Sequence, residues 1–466
     1  MPRTLRGPGR IARLAARAAM PAALPAAFLA AAPALAQDLI YPVGEGDFSW
    51  AGYEAFAEAN DFSGQTLKVS GANTGNDAKR YENLYAYFAE ATGAEVVYSG
   101  SESFEQDIVI AAKAGGLPDI ANFPQPGLAR DLATQGVLKP FGPELRDWVE
   151  GGYAAGESWA NLATFAGPEG TEDIFGLFFG TDVKSLVWYV PENFEEAGYE
   201  VPETMEALKA LSDRIVADGG TPWCIGLGSG AATGWPATDW VEDMMLRTVE
   251  PEVYDQWVSH EIPFNDPRVV NAIEQYGVFA RNPDYTPGGP EAVATTDFRD
   301  SPDGMFDFPP ECYMHRQASF IPIFFPEDVE VGTDVSFFYF PPFEAEADLG
   351  RPVLGSGGLT TMTTDSPLAR AFIAFLELPV AHEIMMQQGQ FLTPHLEANL
   401  DLYTTDTQRA LGEILTSATT FRFDGSDRMP GEIGTSAFWT GMVDYTTGAP
   451  AQDVADGIEE RWTQIR

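Results

Sequence analysis

Cysteine, histidine and positive charge are all scarce in this chain. Its 466 residues hold two cysteines and four histidines, with 27 lysines and arginines against 69 aspartates and glutamates. The formal net charge of −42 repels nucleic acid and anionic lipid. It also disfavours an anionic ligand unless a local basic pocket exists. His260, His315, His382 and His395 lack the H-E-x-x-H zinc spacing, because His382-Glu383 has no second histidine. No G-x-S-x-G elbow, no G-x-x-x-x-G-K-[ST] phosphate loop and no EF-hand series occurs. Gly226-Leu-Gly228-Ser-Gly230-Ala231 fits a relaxed dinucleotide fingerprint after an expected strand. Its loop runs on to Trp235-Pro236 instead of entering a helix at once, which excludes that use. Nothing in the chain calls for a cofactor or a metal. Internal repeats are missing too, and aromatic residues at 12% argue against disorder.

Long apolar runs are absent except near the N-terminus. Arg3, Arg6, Arg10, Arg13 and Arg17 form a basic region without acids, followed by an alanine-rich stretch from about Ala18 to Ala34. Ala34-Leu35-Ala36 then supplies a small-x-small cleavage pattern, with Gln37 the expected first mature residue. Pro21, Pro25 and Pro33 interrupt the stretch, against a membrane-spanning helix. No cysteine follows for lipid attachment, and no twin-arginine pair is present. The reading is a signal peptide over 1–36 and export to the periplasm. An oxidising compartment makes Cys224–Cys312 a natural disulfide.

Beyond Asp61 the pattern reads as alternating strand and helix. Strands are expected at Thr66–Val69, Glu95–Tyr98 and Asp119–Phe123. Ser70–Lys79 reads as a polar loop. Tyr81, Leu84, Tyr85 and Phe88 carry the spacing of an amphipathic helix that closes at Gly93. A second helix covers about Phe104 to Ala114 before Gly115-Gly116. Such units imply a parallel sheet with ligand loops along one edge. The stretch Phe175–Tyr189 is apolar and extended, and Trp223–Leu227 reads as a strand followed by a loop. Thr204 and Ser366 are expected helix caps. The C-terminus reads as helical from about Phe438.

Aromatic and polar residues recur at expected loop positions: Phe123 and Gln125, Trp235 with Asp239 and Trp240, Phe320, and Phe438-Trp439. Flat rings beside carboxylates and amides suit a sugar, whose C–H face stacks while its hydroxyls take hydrogen bonds. With this many acids, a carboxylate pair for glycoside cleavage remains an alternative, although no spacing singles one out.

Four segments resemble the family 1 extracellular solute-binding proteins, the receptors of sugar-uptake ABC importers. They are Ala112–Leu138, with Gly116-Leu-Pro-Asp-Ile120; Lys184–Tyr189 with Glu195–Tyr199 and Pro202-Glu-Thr204; Gly355–Gly358 leading to Ser366–Leu376; and Met429-Pro430 through Trp439. Trp235–Trp240 with Phe421–Gly431 looks most like the α-glucoside receptors of that family. The resemblance implies an α/β, two-lobed periplasmic binding protein fold of class II. Each lobe would carry a central, mostly parallel sheet flanked by helices. Residues 37–181 and 358–426 would form one lobe, and 182–357 and 427–466 the other, with three hinge crossings near 182, 356 and 427.

The same resemblance implies a non-enzymatic role: binding a disaccharide such as trehalose, sucrose, maltose or palatinose and delivering it to the permease subunits. No nucleic acid is involved, and the protein would be a monomer. Sugar contacts would fall to Asn76, Asp77, Phe123, Gln125, Lys184, Trp235, Asp239, Phe320, Gly357, Asp427, Met429 and Trp439. Two positions depart from the pattern. Pro126 stands where maltodextrin receptors often have Asp, and Phe320 where the family commonly has Trp. An exported glycoside hydrolase and a chemosensory or adhesive sugar-binding module are the competing readings.

Overall fold

The computed structural model describes residues 39–154, 156–417 and 420–465. The signal-peptide and cleavage reading lies outside the described residues. No helix among them is long and apolar enough to cross a membrane.

The described residues form eleven strands: β1 Thr66–Gly71, β2 Glu95–Gly100, β3 Ile120–Phe123, β4 Thr164–Ala166, β5 Glu172–Ile174, β6 Gly176–Val183, β7 Leu186–Tyr189, β8 Met314–Arg316, β9 Ser336–Tyr339, β10 Pro352–Met362 and β11 Thr420–Phe423. The main sheet runs β11-β10-β3-β1-β2, with β6 on β10. Along β1 the burial alternates, turning Leu67 and Val69 inward, as a half-buried strand requires. β3 is buried along its whole length, as the sheet centre requires.

The sheet is mixed where mostly parallel pairing was expected. β1 runs parallel to β2 and β3, and β10 to β11. β10 runs antiparallel to both β3 and β6. The reason is the path of the chain: it leaves along β6, makes a long excursion, and returns along β10 beside its own exit. The second sheet, β8-β7-β9, is antiparallel throughout. The strand expected at Trp223–Leu227 is reduced to an isolated bridge, Trp223 to Met314. There Gly226 and Gly228 press their backbone against Thr296 and Asp297, and this close approach replaces a ladder.

Two apolar cores result. One surrounds Leu67, Phe88, Ile120, Phe372 and Phe375; the other surrounds Trp240, Trp257, Tyr276 and Phe438. The chain passes between them at three places. Val187 belongs to the second core and Trp188 to the first; Val353 to the first and Leu354 to the second; Phe423 to the first and Met429 to the second. Phe298, Ile321 and Phe325 reach across into the first core. Cys224 and Cys312 form a disulfide with Cα atoms 5.5 Å apart.

Two local expectations change in ways that matter for function. The helix Gly75–Thr92 starts inside the expected polar loop, placing Asp77 in its first turn, where an acid suits the positive end of the helix. Trp235–Thr248 is a helix and not a loop, because Pro236 fits a first helical turn, where its missing N–H costs nothing.

Candidate binding cavity

A cavity of about 250 Å³ opens between the two cores. The helix Gly75–Thr92 supplies Asp77, Arg80 and Tyr81; β3 supplies Asn122 and the turn after it Gln125; β6 supplies Phe179 and Asp182. Facing them are Lys184, Trp235, Asp239, Phe298, Arg299 and Phe320, and Asp424, Asp427 and Trp439 complete the wall.

Trp235 and Asp239 are one helical turn apart, so both face the cavity. Trp240, 1% exposed, turns into the core. On β10 the register against β6 shifts between Gly357 and Leu359, a bulge of the kind found beside binding sites. A side chain at Gly357 would lie 2.7 Å from the Gly180 carbonyl oxygen, so only glycine lets these two strands close the floor.

The electrostatic centre is Lys184. Its ammonium donates to Asp239 Oδ1 at 2.9 Å and to Asp424, with all three side chains 5% exposed or less. Glu242 accepts from the backbone N–H groups of Gly425 and Ser426 at 3.0 and 2.9 Å. Asp424 Oδ1 accepts from the Ser426 hydroxyl and the Asp427 N–H. Asp239, Glu242 and Asp424 bring carboxylate oxygens within 4.8 Å of one another. Lys184 is bonded to two of the three, so the protein supplies its own cation there. Arg316 and Arg247 hold Asp243 just behind.

Crowding of buried acids sets their protonation. Burial pushes Asp239 up to about 8; Lys184 pulls it down and the Asp424 charge pushes it further up. Glu242 and Asp427 are raised well above the usual carboxylate range by burial and by Asp424. Burial would raise Asp424 as well. The Lys184 ammonium and hydrogen bonds from Glu242 and Asp239 overcome that and hold it well below its usual value. Asp182, on β6, is raised to about 6 by burial, against its bond from the Ser319 hydroxyl.

Nine of the twelve residues expected at the site line this cavity: Asp77, Gln125, Lys184, Trp235, Asp239, Phe320, Gly357, Asp427 and Trp439. Three do not. Asn76 is exposed on the helix Gly75–Thr92, turned about 100° from Asp77 as its sequence neighbour. Phe123 is fully buried and packs edge-on against Phe104, since the pleat of β3 sends it to the opposite face from Asn122. Met429 is fully buried in the second core. Arg80, Phe179, Asp182, Phe298, Arg299 and Asp424 line the cavity without having been singled out. Asp182 stood at an expected crossing and Asp424 inside the noted Phe421–Gly431 segment, so both carried a signal.

Six buried polar atoms on this wall have no hydrogen-bond partner in the protein: Arg80 Nε, Asn122 Oδ1, Gln125 Oε1, Asp239 Oδ2, Gln390 Oε1 and Trp439 Nε1. Leaving each unmade costs about 1–3 kcal/mol, so six around one cavity point to a bound polar molecule. Rings of Trp235, Phe298, Phe320 and Trp439 supply flat apolar faces beside them.

Rings, amides and carboxyls around a cavity between two cores define a receptor for a small polyhydroxylated molecule. The chain matches the bacterial extracellular solute-binding proteins over residues 71–383 and belongs to that family. It is 56% identical over 432 residues to the α-glucosides-binding periplasmic protein AglE of Rhizobium meliloti, covering 92% of this chain and 94% of that one. It is 44% identical over 396 residues to the osmoprotective compounds-binding protein GgtB of a Synechocystis species, covering 85% and 92%. Among solved structures, the bacterial solute receptor AcbH superposes with a TM-score of 0.72 at 17% identity, over 86% of this chain and 99% of that one. Maltose-bound MalE3 of T. maritima superposes with a TM-score of 0.65 at 14% identity, over 86% and 100%. The fold is the two-lobed class II periplasmic binding protein fold.

Proposed function

We propose that this protein is the periplasmic receptor of an ABC importer and binds an α-linked glucose disaccharide, of trehalose, sucrose, maltose or palatinose type, in the cavity between its lobes. The observation that carries the reading is the set of six buried polar atoms without a hydrogen-bond partner on the wall of this cavity. The 56% identity to an α-glucosides-binding protein supports the sugar class.

Trp439, Trp235 and Phe320 stack on the sugar rings, and Asp77, Gln125, Asp239, Asp427 and Trp439 Nε1 take its hydroxyls. Lys184 orders Asp239 and Asp424 instead of meeting the sugar first. One lobe takes residues 37–181 and 358–426, the other 182–357 and 427–466. Crossings near 182, 356 and 427 form the hinge. Because the sugar touches both lobes, it binds the closed form better and shifts the population toward it. The closed monomer then docks on the permease. The chain is exported with cleavage after Ala36.

Titration calorimetry with the four disaccharides tests the sugar class. Saturable heat with at least one is the expected result, and heat with none overturns the reading. Recovering the sugar intact after prolonged incubation separates a receptor from a hydrolase. The mass of secreted protein reads the cleavage point.

A further inference from the structure

Two corners of the cavity place rings beside unbonded polar groups. One holds Trp235 and Phe320, with centroids 6.1 Å apart, together with Asp239 and Trp439. Lys184 ties that corner together, bonded to Asp239 and 5.5 Å over the Trp235 ring. The other corner holds Phe179 and Phe391, with centroids 5.2 Å apart, together with Arg80 and Gln390.

Three hydrogen bonds fasten the segment 388–390 to the helix Gly75–Thr92. Asn83 donates to Gln388 Oε1 at 2.8 Å, Gln388 Nε2 donates to the Arg80 carbonyl at 3.2 Å, and Arg80 Nη2 donates to the Gly389 carbonyl. Held in this way, Gln390 adopts a φ of +51°, a left-handed conformation that is costly for a residue with a side chain. Among the described non-glycine residues only His260 shares that region, and its ring bonds Glu459 and stacks on Trp462. Gln390 has no such compensation within the protein: it lines the cavity, and its Oε1 is buried without a partner. Arg80 is similar. Its Nη1 pairs with Asp77 at 3.4 Å and its Nη2 holds Gly389, which leaves Nε buried and unbonded.

We propose that Arg80 and Gln390 form the subsite for the ring that differs among the candidate disaccharides, and so determine which of them the receptor accepts. The inference rests on the receptor reading and deepens it. Trehalose, sucrose, maltose and palatinose share an α-linked glucosyl ring, which takes the tryptophan corner. Stacking on flat rings there tolerates many pyranoses. The partner ring lies against Phe179 and Phe391. Arg80 Nε donates to one of its hydroxyls, and the Gln390 amide bonds the neighbouring hydroxyl. A site built to bond a hydroxyl rejects a sugar that lacks it far more sharply than an apolar face can, because a buried polar group is then left unpaired. The left-handed backbone holds the amide at the wall before the sugar arrives, which lowers the ordering cost of binding.

The test is calorimetry on the mature protein at pH 7. The probes are the four disaccharides and every monodeoxy form of the tightest binder (for trehalose, whose rings are alike, every symmetric dideoxy form). Gln390→Met keeps the length of the side chain and removes the amide. The tightest disaccharide should bind it about threefold to tenfold more weakly, the loss of one neutral hydrogen bond, at an unchanged melting temperature. At least one deoxy form should bind Gln390→Met and the parent equally, because its missing hydroxyl is the one the amide reads. Arg80→Lys keeps a cation beside Asp77 and removes Nε. Its loss should be silenced by the deoxy form at the adjacent carbon of the same ring. Gln390→Gly removes the amide and the left-handed cost together, so affinity should fall as in Gln390→Met while the melting temperature holds or rises.

Unchanged affinity in Gln390→Met overturns the inference. So does a loss that every deoxy form shows in full, because it then comes from a reshaped wall and not from a contact. A silencing position on the shared α-glucosyl ring overturns the ring assignment, and silencing positions for Arg80 and Gln390 on different rings overturn their pairing. A melting temperature well below the parent's in both Gln390 variants marks the residue as structural and overturns the inference too. The receptor reading fails separately, when no disaccharide of the panel gives heat with the unaltered protein.

Discussion

Gly234 lies directly against the backbone of Trp439. It adopts a φ of +114°, and a Cβ added there would meet the Trp439 carbonyl oxygen at 2.2 Å. The contact brings the start of the helix Trp235–Thr248 onto the last cavity wall, so one glycine sets the spacing between two tryptophans. Gly234→Ala meets both the clash and a left-handed backbone. Stability should fall by about 3 kcal/mol, read by urea unfolding. Sugar affinity should fall as well, because the Trp235 and Trp439 rings move apart. A variant with unchanged melting temperature would show that this contact is slack.

Lys184 is worth more to its neighbours than to any ligand. Lys184→Met leaves Asp239 and Asp424 buried without their ammonium, a loss of about 3–5 kcal/mol. The pH dependence carries the sign. In the unaltered protein Asp424 is held below its usual value, so its contribution is whole above the usual carboxylate value of about 4 and is lost only as pH falls below it. Without Lys184 the same carboxyls prefer their protons. The gap in melting temperature between variant and parent should therefore be widest near pH 8 and narrow toward pH 4. A gap that is constant with pH would contradict the charge assignment.

Two buried histidines predict an acid limit to stability. Burial lowers His315 to about 4, against the hydrogen bond to the Cys224 carbonyl. Burial and the nearby His395 lower His382. Each is neutral in the fold and charges when unfolded at about 6.5. Their stabilisation is whole above that value and is lost as pH falls below it, for His315 down to about 4. Glu377 works the other way: burial raises it to about 7, so its contribution is whole below about 4 and lost as pH rises through about 7. His315→Gln should flatten the acid limb of a urea-unfolding series from pH 4 to pH 7 and leave the limb above pH 7 unchanged.

Signals that act over a few residues were legible in the sequence. Thr204 and Ser366 cap their helices through side-chain bonds from Ala207 and Ala369 at 3.2 and 3.1 Å. The helix Phe104–Ala114 ends at Gly115 in a left-handed conformation, where the paired glycines placed it. What could not be read was orientation between distant segments. Asn76 and Asp77 looked alike as loop residues; a helix beginning at Gly75 separates them. Phe298 and Arg299 reach the cavity only because the segment after residue 296 packs across to the first core, and no periodicity in that segment announces it. The direction of β10 depends on where the chain returns after its excursion, which is a property of the whole fold.

The disulfide joins two segments of the cavity wall. Cys224 lies shortly before Trp235, and Cys312 sits between Phe298 and Phe320. Its loop spans 88 residues, for which chain entropy gives about 4–5 kcal/mol. Replacing both cysteines by alanine should lower stability by about that amount. It should also weaken sugar binding, since the two segments then position their rings independently. Reduced protein with unchanged affinity would mean that packing alone holds these segments together.

Trp439 separates stacking from hydrogen bonding. Its ring is 3% exposed and packs in the second core, while its Nε1 has no protein partner. Trp439→Ala removes the ring and should cost about 3–5 kcal/mol of stability, so lost binding there would be ambiguous. Trp439→Phe keeps an aromatic face and removes only the donor. One neutral hydrogen bond is worth about 0.5–1.5 kcal/mol, so sugar affinity should fall about threefold to tenfold while the melting temperature stays close to that of the parent. Unchanged affinity would mean that Nε1 meets no sugar hydroxyl. A loss far beyond tenfold in a folded variant would mean that the larger indole face, and not its N–H, carries the contact.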